Sequence, residues 1–159
     1  MMEKDLPDVM RIQEESYSRN LVEKEDVYRE KLRSHPSGCL VVERGPCVVA
    51  YAISHPWSSD GPPRLDAVEE LPSRPTVFHI HDISVARSSR GKNLGGMLVQ
   101  RIREIARDSG FDAISLVCVQ NRSFWEKLGF KETSPEKSMS VANYPPGCIC
   151  MTGHSATRK

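Results

Sequence analysis

The stretch that decides the fold runs from residue 77 to residue 96 and reads VFHIHDISVARSSRGKNLGG. β-Branched and aromatic residues dominate positions 77–85, which predicts a largely buried strand. A basic, glycine-rich turn follows at positions 87–96 and opens into an apolar pattern with helical spacing. Such a turn leaves backbone N–H groups unpaired at the positive end of the helix dipole. The stretch therefore predicts a site for an anion such as pyrophosphate, with Arg90 and Lys92 adding positive charge.

Length and charge limit the class of protein. The chain has 159 residues, 38% of them apolar, and a formal net charge of +1. This predicts one domain with a proper core, and no broad electrostatic binding to nucleic acid or to a membrane surface. No apolar run approaches the roughly 20 residues that a membrane span needs. Five cysteines, an odd number, and an N-terminus without an apolar segment favour a cytoplasmic protein with free thiols.

The remaining pattern predicts an α/β fold, a mixed twisted sheet with helices on both faces. A right-handed βαβ crossover spans residues 77–119. The other predicted elements are, in chain order, a helix from about residue 5, a helix at 24–33, a hairpin of strands at 39–43 and 47–53, a helix at 121–128, and strands at 130–133 and 148–151. We expect a single domain over residues 1–152 and a flexible C-terminal tail over residues 153–159.

A long segment between two of these strands differs in composition. Residues 55–75 contain five of the eleven prolines together with Trp57 and several acidic side chains. Loops of this length inside a small domain are often lids or binding loops, although an ordered surface excursion is equally compatible with the pattern.

Two motifs and the strand before the first of them resemble a known superfamily. The segment RGKNLGG at residues 90–96 resembles the acetyl-CoA signature of the GNAT superfamily, [Q/R]-x-x-G-x-[G/A], in which backbone amides hold the pyrophosphate. The segment SFWEKLGF at residues 123–130 is similar to that superfamily's "FYEKLGF" helix and strand, and HDISVARSSR looks like its central strand. The likeness covers about residues 6–151.

A third motif resembles one group within the superfamily. The segment FHIHDISV at residues 78–85 resembles the arylalkylamine N-acetyltransferases, whose motif also has two histidines two positions apart before an apolar segment. The resemblance implies acetyl-CoA as co-substrate and His79 and His81 on the proton path. The cofactor-binding residues that it implies are Ile83, Ser84, Val85, Arg90, Gly91, Lys92, Asn93, Leu94, Gly95, Gly96, Asn121, Phe124 and Trp125.

The two histidines suit the chemistry of acetyl transfer. An amine with a pKa near that of lysine is protonated at neutral pH, so its proton needs a route away from the nitrogen. His79 and His81 share one face of the strand about 6.6 Å apart, which suits a relay through water. The alternatives are a packed core histidine and, less favoured, a zinc site completed by His55; we expect no metal. Asp82 and Ser84 face the other way unless a β-bulge intervenes.

Two residues depart from the superfamily pattern. Asn93 stands where the pattern has glycine, and asparagine can adopt positive φ at modest cost. Trp125 stands where many members have a tyrosine that protonates the leaving thiolate, and an indole N–H is no practical acid. Water, the departing ammonium or another side chain such as Tyr144 are the alternatives.

These observations together predict an N-acetyltransferase that acts on a primary amine of a small molecule, of arylalkylamine or polyamine type. Tyr51, Trp57 and Tyr144 are the predicted substrate contacts, and the protein is expected to be a monomer or homodimer. The alternatives are acetylation of a protein N-terminus or lysine, and a module that binds acetyl-CoA without turnover.

Overall fold

A six-stranded mixed sheet forms the centre of the computed structural model, which describes residues 1–133 and 143–156. The helices are α1 (Leu6–Ser16), α2 (Glu25–Ser34), α3 (Leu94–Asp108) and α4 (Arg122–Lys127). The strands are β1 (Cys39–Arg44), β2 (Cys47–Trp57), β3 (Val77–Val85), β4 (Ala113–Cys118), β5 (Lys131–Glu132) and β6 (Ile149–His154). The strand order is β1-β2-β3-β4-β6-β5, with β3 and β4 parallel and the other neighbours antiparallel. This confirms the predicted fold class.

Helices cover both faces of the sheet, as the sequence predicts. On one face the apolar side of α3, including Leu98 and Ile102, packs on Phe78 and Ile80 of β3. On the other face α1 and α2 pack on β1 and β2 through a second cluster that includes Tyr51. None of the helices in residues 1–133 and 143–156 combines the length and the apolar character that a membrane span requires.

Three boundaries differ from the prediction. Strand β2 continues to Trp57, so His55 lies in a strand and the long loop covers residues 58–76. Helix α1 ends one residue before Tyr17, which is extended. Strand β6 includes Gly153 and His154, which pair with β4, although the sequence assigns residue 153 to a tail. Residues 157–159 of that tail lie outside the described residues.

A β-bulge in β3 determines which side chains share a face of the sheet. Consecutive residues of β2 pair with Ile80 and Asp82, so His81 is an extra residue without a partner in β2. Because side chains alternate along a strand, the extra residue reverses the parity beyond it. The side chains of Asp82 and Ser84 therefore contact residues of α1 and α2, on the same side as His79 and His81. Simple alternation would place these two side chains on the opposite face, and it is wrong here because of the β-bulge at His81.

The carboxylate of Asp82 connects both N-terminal helices to the centre of the sheet through hydrogen bonds. Tyr17 and Tyr51 donate their hydroxyl hydrogens to its carboxylate at 2.6 Å each, and Tyr28 of α2 donates a third hydrogen bond. Burial raises the pKa of all three phenols well above their ordinary value, so they remain donors. The carboxyl group lies in a buried site, and its three donors offset part of the cost of removing it from water.

We expect Tyr51→Phe to lower the free energy of unfolding by about 2 kcal/mol, because it removes a donor to a buried carboxylate. The matched control is Tyr144→Phe, which removes a hydroxyl bonded to the neutral carbonyl of Pro63 and should cost about 1 kcal/mol. Urea unfolding followed by circular dichroism measures both. Equal losses in the two variants would show that the Asp82 cluster contributes no more than an ordinary hydrogen bond.

Candidate active site

The site opens where β3 and β4 part. The two parallel strands pair only at Phe78–Ile114, His79–Ser115 and Ile80–Leu116, although β3 continues to Val85 and β4 to Cys118. A cavity of about 840 Å³ occupies the gap and is lined by residues 80–85 of β3 and by residues 116 and 117 of β4. Backbone groups that the sheet leaves unpaired in this gap can form hydrogen bonds with an extended ligand.

The turn between β3 and α3 forms one end of the cavity. Gly91 and Asn93 have φ values of 80° and 58°, so both adopt the left-handed conformation. Asparagine can therefore take the place of the motif's glycine here. Helix α3 begins at Leu94, and the unpaired N–H groups of its first turn make an anion site. A Cβ at Gly96 would meet the side-chain amide of Asn93, which would have to turn away.

Arg90 places a positive charge beside this turn. Its Nε donates to the carbonyl of Val85 at 3.1 Å, and one Nη donates to Ser16 Oγ at 3.1 Å. Ser84 donates to the same Ser16 oxygen at 2.6 Å, and Gln120 reaches across the gap to the Ser16 carbonyl at 3.3 Å. Ser16 thus joins the end of α1 to β3, to the turn and to the segment after β4.

The opposite end of the cavity contains a buried carboxylate. We call this the Glu23 end; its lining residues are Tyr17, Leu21, Glu23, Leu65, His81 and Tyr144. Glu23 Oε2 lies 2.7 Å from His81 Nε2, and the two side chains are 4% and 1% exposed. Burial raises the pKa of Glu23 to about 7, in spite of the backbone N–H of Asp66 and the charge of Lys31. A carboxyl group that titrates near neutral pH, next to an imidazole, can exchange protons with a bound amine.

Three histidines gather behind this carboxylate. The ring centroids of His55 and His79 are 5.8 Å apart, those of His55 and His81 5.9 Å, and those of His79 and His81 6.4 Å. Burial lowers the pKa of each imidazole well below its ordinary value, and the charge of Lys31 lowers it further. The imidazoles are therefore neutral at pH 7 and able to accept a proton only transiently.

Each histidine has a defined partner. His55 Nδ1 lies 3.0 Å from the carbonyl of Pro56, which can only accept, so the hydrogen of His55 is on Nδ1. His79 Nδ1 lies 2.9 Å from Ser115 Oγ, beside a separate cavity of about 60 Å³. His55 Nε2 and His81 Nδ1 are buried without a protein partner among the described residues. No set of three or more His, Cys, Asp or Glu side chains within residues 1–133 and 143–156 has the geometry to hold a metal ion.

The structure brings most of the predicted residues to the large cavity. Its lining includes His81, Ile83, Ser84, Val85, Arg90, Gly91, Asn93, Leu94, Gly95, Gly96, Asn121, Phe124, Trp125 and Tyr144.

Four predicted residues lie elsewhere. His79 borders the small cavity, and Lys92 is exposed and outside the lining. Tyr51 is fully buried beneath Asp82. Trp57 donates its indole hydrogen to Gly61 at 2.9 Å and contacts the ring of His55, so neither aromatic residue contributes a wall to the large cavity.

Sequence reasoning missed the carboxylate of the site. Glu23 lies between two predicted helices among several acidic residues. Nothing in that pattern distinguishes this buried glutamate from the acidic residues around it that are exposed to solvent. Tyr17, just after α1, is a second residue that the sequence does not single out, and its hydroxyl donates to Asp82 while its side chain lines the cavity. The detectable signal was Leu21, an apolar residue within a polar connection, which indicates that this connection is packed against something.

Comparison with known proteins gives the family. The model of the acetyltransferase (GNAT) family matches residues 6–130. Among curated proteins, glucosamine 6-phosphate N-acetyltransferase of Candida albicans is 41% identical over 61 residues, 38% of this chain and 41% of the relative. A probable glucosamine 6-phosphate N-acetyltransferase 2 of Oryza sativa subsp. japonica is 37% identical over 69 residues, 43% of this chain and 39% of the relative. The matches thus span about two fifths of the length of these relatives.

Solved structures agree at the level of the fold. Ard1 from Thermoplasma volcanium superposes with a TM-score of 0.74 at 18% identity, covering 97% of this chain and 93% of the other. The GphF GNAT-like decarboxylase, solved in complex with isobutyryl-CoA, superposes with a TM-score of 0.76 at 9% identity, covering 98% and 97%. At such identities the likeness concerns the fold alone. The family match over residues 6–130 and the parted strands β3 and β4 lead to one conclusion: the chain belongs to the GNAT acetyltransferase family.

Proposed function

We propose that this protein transfers the acetyl group of acetyl-CoA directly to the primary amine of a small molecule, of arylalkylamine or polyamine type. The observation that carries the proposal is the cavity between β3 and β4, with an anion-binding turn at one end and the buried Glu23–His81 pair at the other. An acyl-CoA and an amine could meet in this cavity from opposite ends.

The turn supports the cofactor assignment. The N–H groups at the start of α3 and the guanidinium of Arg90 suit a pyrophosphate, and residues 83–85 offer unpaired backbone to a pantetheine arm. Phe124 packs beside Gly95 and brings an apolar side chain to the same end of the cavity. When bound, acetyl-CoA supplies an activated acyl group, and the chain has only to hold it and to handle protons.

The Glu23–His81 pair supports a direct attack by the amine. Glu23 in its ionised form accepts the proton that the ammonium group must lose, and His81 holds the carboxylate at 2.7 Å. The nitrogen then attacks the thioester carbon and the C–N bond forms, after which the C–S bond breaks with the electron pair leaving on sulfur. The nitrogen loses its second proton in this step, which balances the proton that the sulfur takes up. His79 stays in the proposal as a more distant member of the proton path, because its ring is 6.4 Å from that of His81.

Protonation of the sulfur does not need Trp125. Its ring is buried, with centroids 5.0 Å from Phe124 and 5.3 Å from Phe130, which supports a packing role. Tyr144 lines the cavity, and its hydroxyl donates to the carbonyl of Pro63 at 3.2 Å. We propose Tyr144 as the donor to the thiolate, because the partner of its hydroxyl among the described residues is the neutral carbonyl of Pro63, although burial raises the pKa of this phenol above its ordinary value.

The Glu23 end favours an amine with an apolar or cationic body. Leu21, Leu65 and the two phenol rings offer apolar contact, and the carboxylate offers a charge for an ammonium group. Among the described lining residues the basic side chains are Arg90 and Lys127, both on the side of α3 and α4. The names of the curated relatives indicate a sugar phosphate as the substrate of those proteins. Such a substrate would need a cation at the Glu23 end to bind its phosphate. The docked loop 58–76 also narrows this end of the cavity. A protein substrate would need an open groove here, so the position of the loop disfavours a protein substrate.

The function is tested by thiol release from acetyl-CoA with a panel of phenethylamine, tryptamine, spermidine, glucosamine 6-phosphate and a lysine peptide. We expect turnover with an arylalkylamine or a polyamine and little with the phosphosugar or the peptide. Turnover with glucosamine 6-phosphate alone would overturn the substrate class and retain the acetyl transfer. Tight acetyl-CoA binding without release on any amine would favour a binding module.

The pH dependence follows from Glu23. Its pKa is raised to about 7, so the ionised form that accepts a proton predominates above that pH. The value of kcat/KM should therefore rise as the pH increases through about 7 and fall below it. Glu23→Gln should lower kcat/KM by about 10²-fold and remove the rise of kcat/KM with pH. Glu70→Gln, at an exposed glutamate of the long loop, is the control and should keep both the rate and its rise with pH. An unchanged pH profile in Glu23→Gln would exclude Glu23 as the base.

Acyl-CoA binding at the turn is tested at Gly95. A Cβ there would lie 3.2 Å from the ring of Phe124, and a carboxylate would repel a pyrophosphate. Gly95→Asp should weaken acetyl-CoA binding at least about tenfold by isothermal titration calorimetry. Met97→Asp adds the same charge on the same helical turn at a side chain that is 58% exposed and outside the lining, and should have a smaller effect. Equal losses of acetyl-CoA affinity in both variants would indicate general charge repulsion and not a contact between the pyrophosphate and the turn.

A further inference from the structure

Asp66 docks the long loop between β2 and β3 onto the Glu23 end. The backbone N–H of Asp66 donates to Glu23 Oε1 at 2.7 Å. Its carboxylate accepts a hydrogen bond from the backbone N–H of Lys24 at 2.8 Å and pairs with Lys24 Nζ at 3.2 Å. Asp66 therefore binds two consecutive residues of the connection between α1 and α2, one with its backbone and one with its side chain.

The conformation of Asp66 makes both contacts possible. Its φ is 51°, in the left-handed region that few residues other than glycine, asparagine and aspartate adopt readily. The loop is also held from the other side, because Tyr144 donates to the carbonyl of Pro63 and Asn143 donates to that of Leu65, each at 3.2 Å. Between these two attachments Leu65 lines the large cavity.

Glu23 is held by its backbone independently of the loop. Its N–H donates to Gln13 Oε1 at 2.6 Å, and its carbonyl accepts from Gln13 Nε2 at 3.2 Å. The amide of Gln13 is fully buried in α1, so the backbone of Glu23 is fixed to that helix. The orientation of the carboxylate then depends on the two groups that contact its oxygens, His81 at Oε2 and Asp66 at Oε1.

We propose that Asp66 is a positioning residue: by docking on Lys24 and Glu23 it closes loop 58–76 over the Glu23 end and orients the carboxylate toward the bound amine. The inference rests on the proposed function of this cavity. With the loop docked, Leu65 forms part of the amine site and Glu23 Oε1 is occupied, so Oε2 is the oxygen that His81 and the amine share. With the loop released, the amine loses the contact with Leu65 and the carboxylate loses one of its two fixed partners.

The test separates the carboxylate of Asp66 from its backbone strain. Asp66→Gly relieves the positive φ and removes the acceptor for Lys24, whereas Asp66→Asn tolerates the positive φ and keeps an acceptor oxygen. The ion pair that Asp66→Asn also loses involves a Lys24 side chain that is 79% exposed, and exposed pairs contribute little. Asp60→Gly is the control for added flexibility, because Asp60 is an exposed residue of the same loop that bonds to Ser58.

We expect Asp66→Gly to raise the KM for the amine about tenfold and to lower kcat, with the KM for acetyl-CoA unchanged. Asp66→Asn and Asp60→Gly should stay close to wild type. If Asp66→Asn is as impaired as Asp66→Gly, the hydrogen bond from the N–H of Lys24 does not position the loop, and if Asp60→Gly is equally impaired, the loss comes from added flexibility; either result overturns the proposal. If the KM for acetyl-CoA rises together with that for the amine, the effect is general destabilisation and the proposal fails.

A readout without turnover distinguishes this inference from the proposed function. Trypsin can cut the loop after Arg64, whereas the bond after Arg74 precedes Pro75 and resists cleavage. Cleavage after Arg64 should be about tenfold faster in Asp66→Gly than in wild type and unchanged in Asp66→Asn. Equal cleavage in all variants would overturn the docking role even in an active enzyme. Faster cleavage in a protein that acetylates no amine would retain the docking and overturn the function.

Discussion

The extra residue in β3 is the constraint on which the site depends. Because His81 has no partner in β2, the strand changes parity, and the side chains of Asp82 and Ser84 join those of His79 and His81 on the face of the sheet where α1 and α2 pack. Asp82 can then accept hydrogen bonds from Tyr17 at the end of α1 and from Tyr28 of α2, which fix those helices, and a third from Tyr51 of β2. A regular strand of the same sequence would turn Asp82 and Ser84 toward the apolar layer under α3, where an unpartnered carboxylate would cost several kcal/mol.

The charges of the buried layer act on one another. Lys31 of α2 is 6% exposed, and burial lowers its pKa, although the carboxylate of Glu23 favours its charged form. Its charge in turn disfavours protonation of the three imidazoles and stabilises the ionised form of Glu23. This arrangement holds the histidines neutral while a carboxylate near them titrates close to pH 7. In the proposed reaction Glu23, and not a histidine, is therefore the residue that first receives the proton.

Most of the fold and the anion-binding turn were predictable from the sequence, whereas the Glu23 end of the site was not. Strand β3 and helix α3 were predicted from apolar periodicity, because a pattern of β-branched residues followed by a helical stripe determines both elements locally. The anion-binding turn was predictable for the same reason, since its residues are consecutive in sequence. Glu23, by contrast, acquires its environment from Gln13, His81 and Asp66, which are 10, 58 and 43 positions away. Trp57 was assigned to the long loop because the sequence does not show that β2 continues to it, and Tyr51 was misplaced because alternation in β2 does not show which face borders the cavity.

Asn93 determines how much of the anion-binding turn is already formed before a ligand arrives. Its left-handed backbone replaces a glycine, and an asparagine leaves the unfolded chain fewer conformations to lose, so the turn costs less entropy to form. Its amide also lies in the space into which a side chain at Gly96 would project, but that amide is the end of a movable side chain. The preformed shape of the turn therefore depends on the backbone conformation of Asn93 and not on this contact.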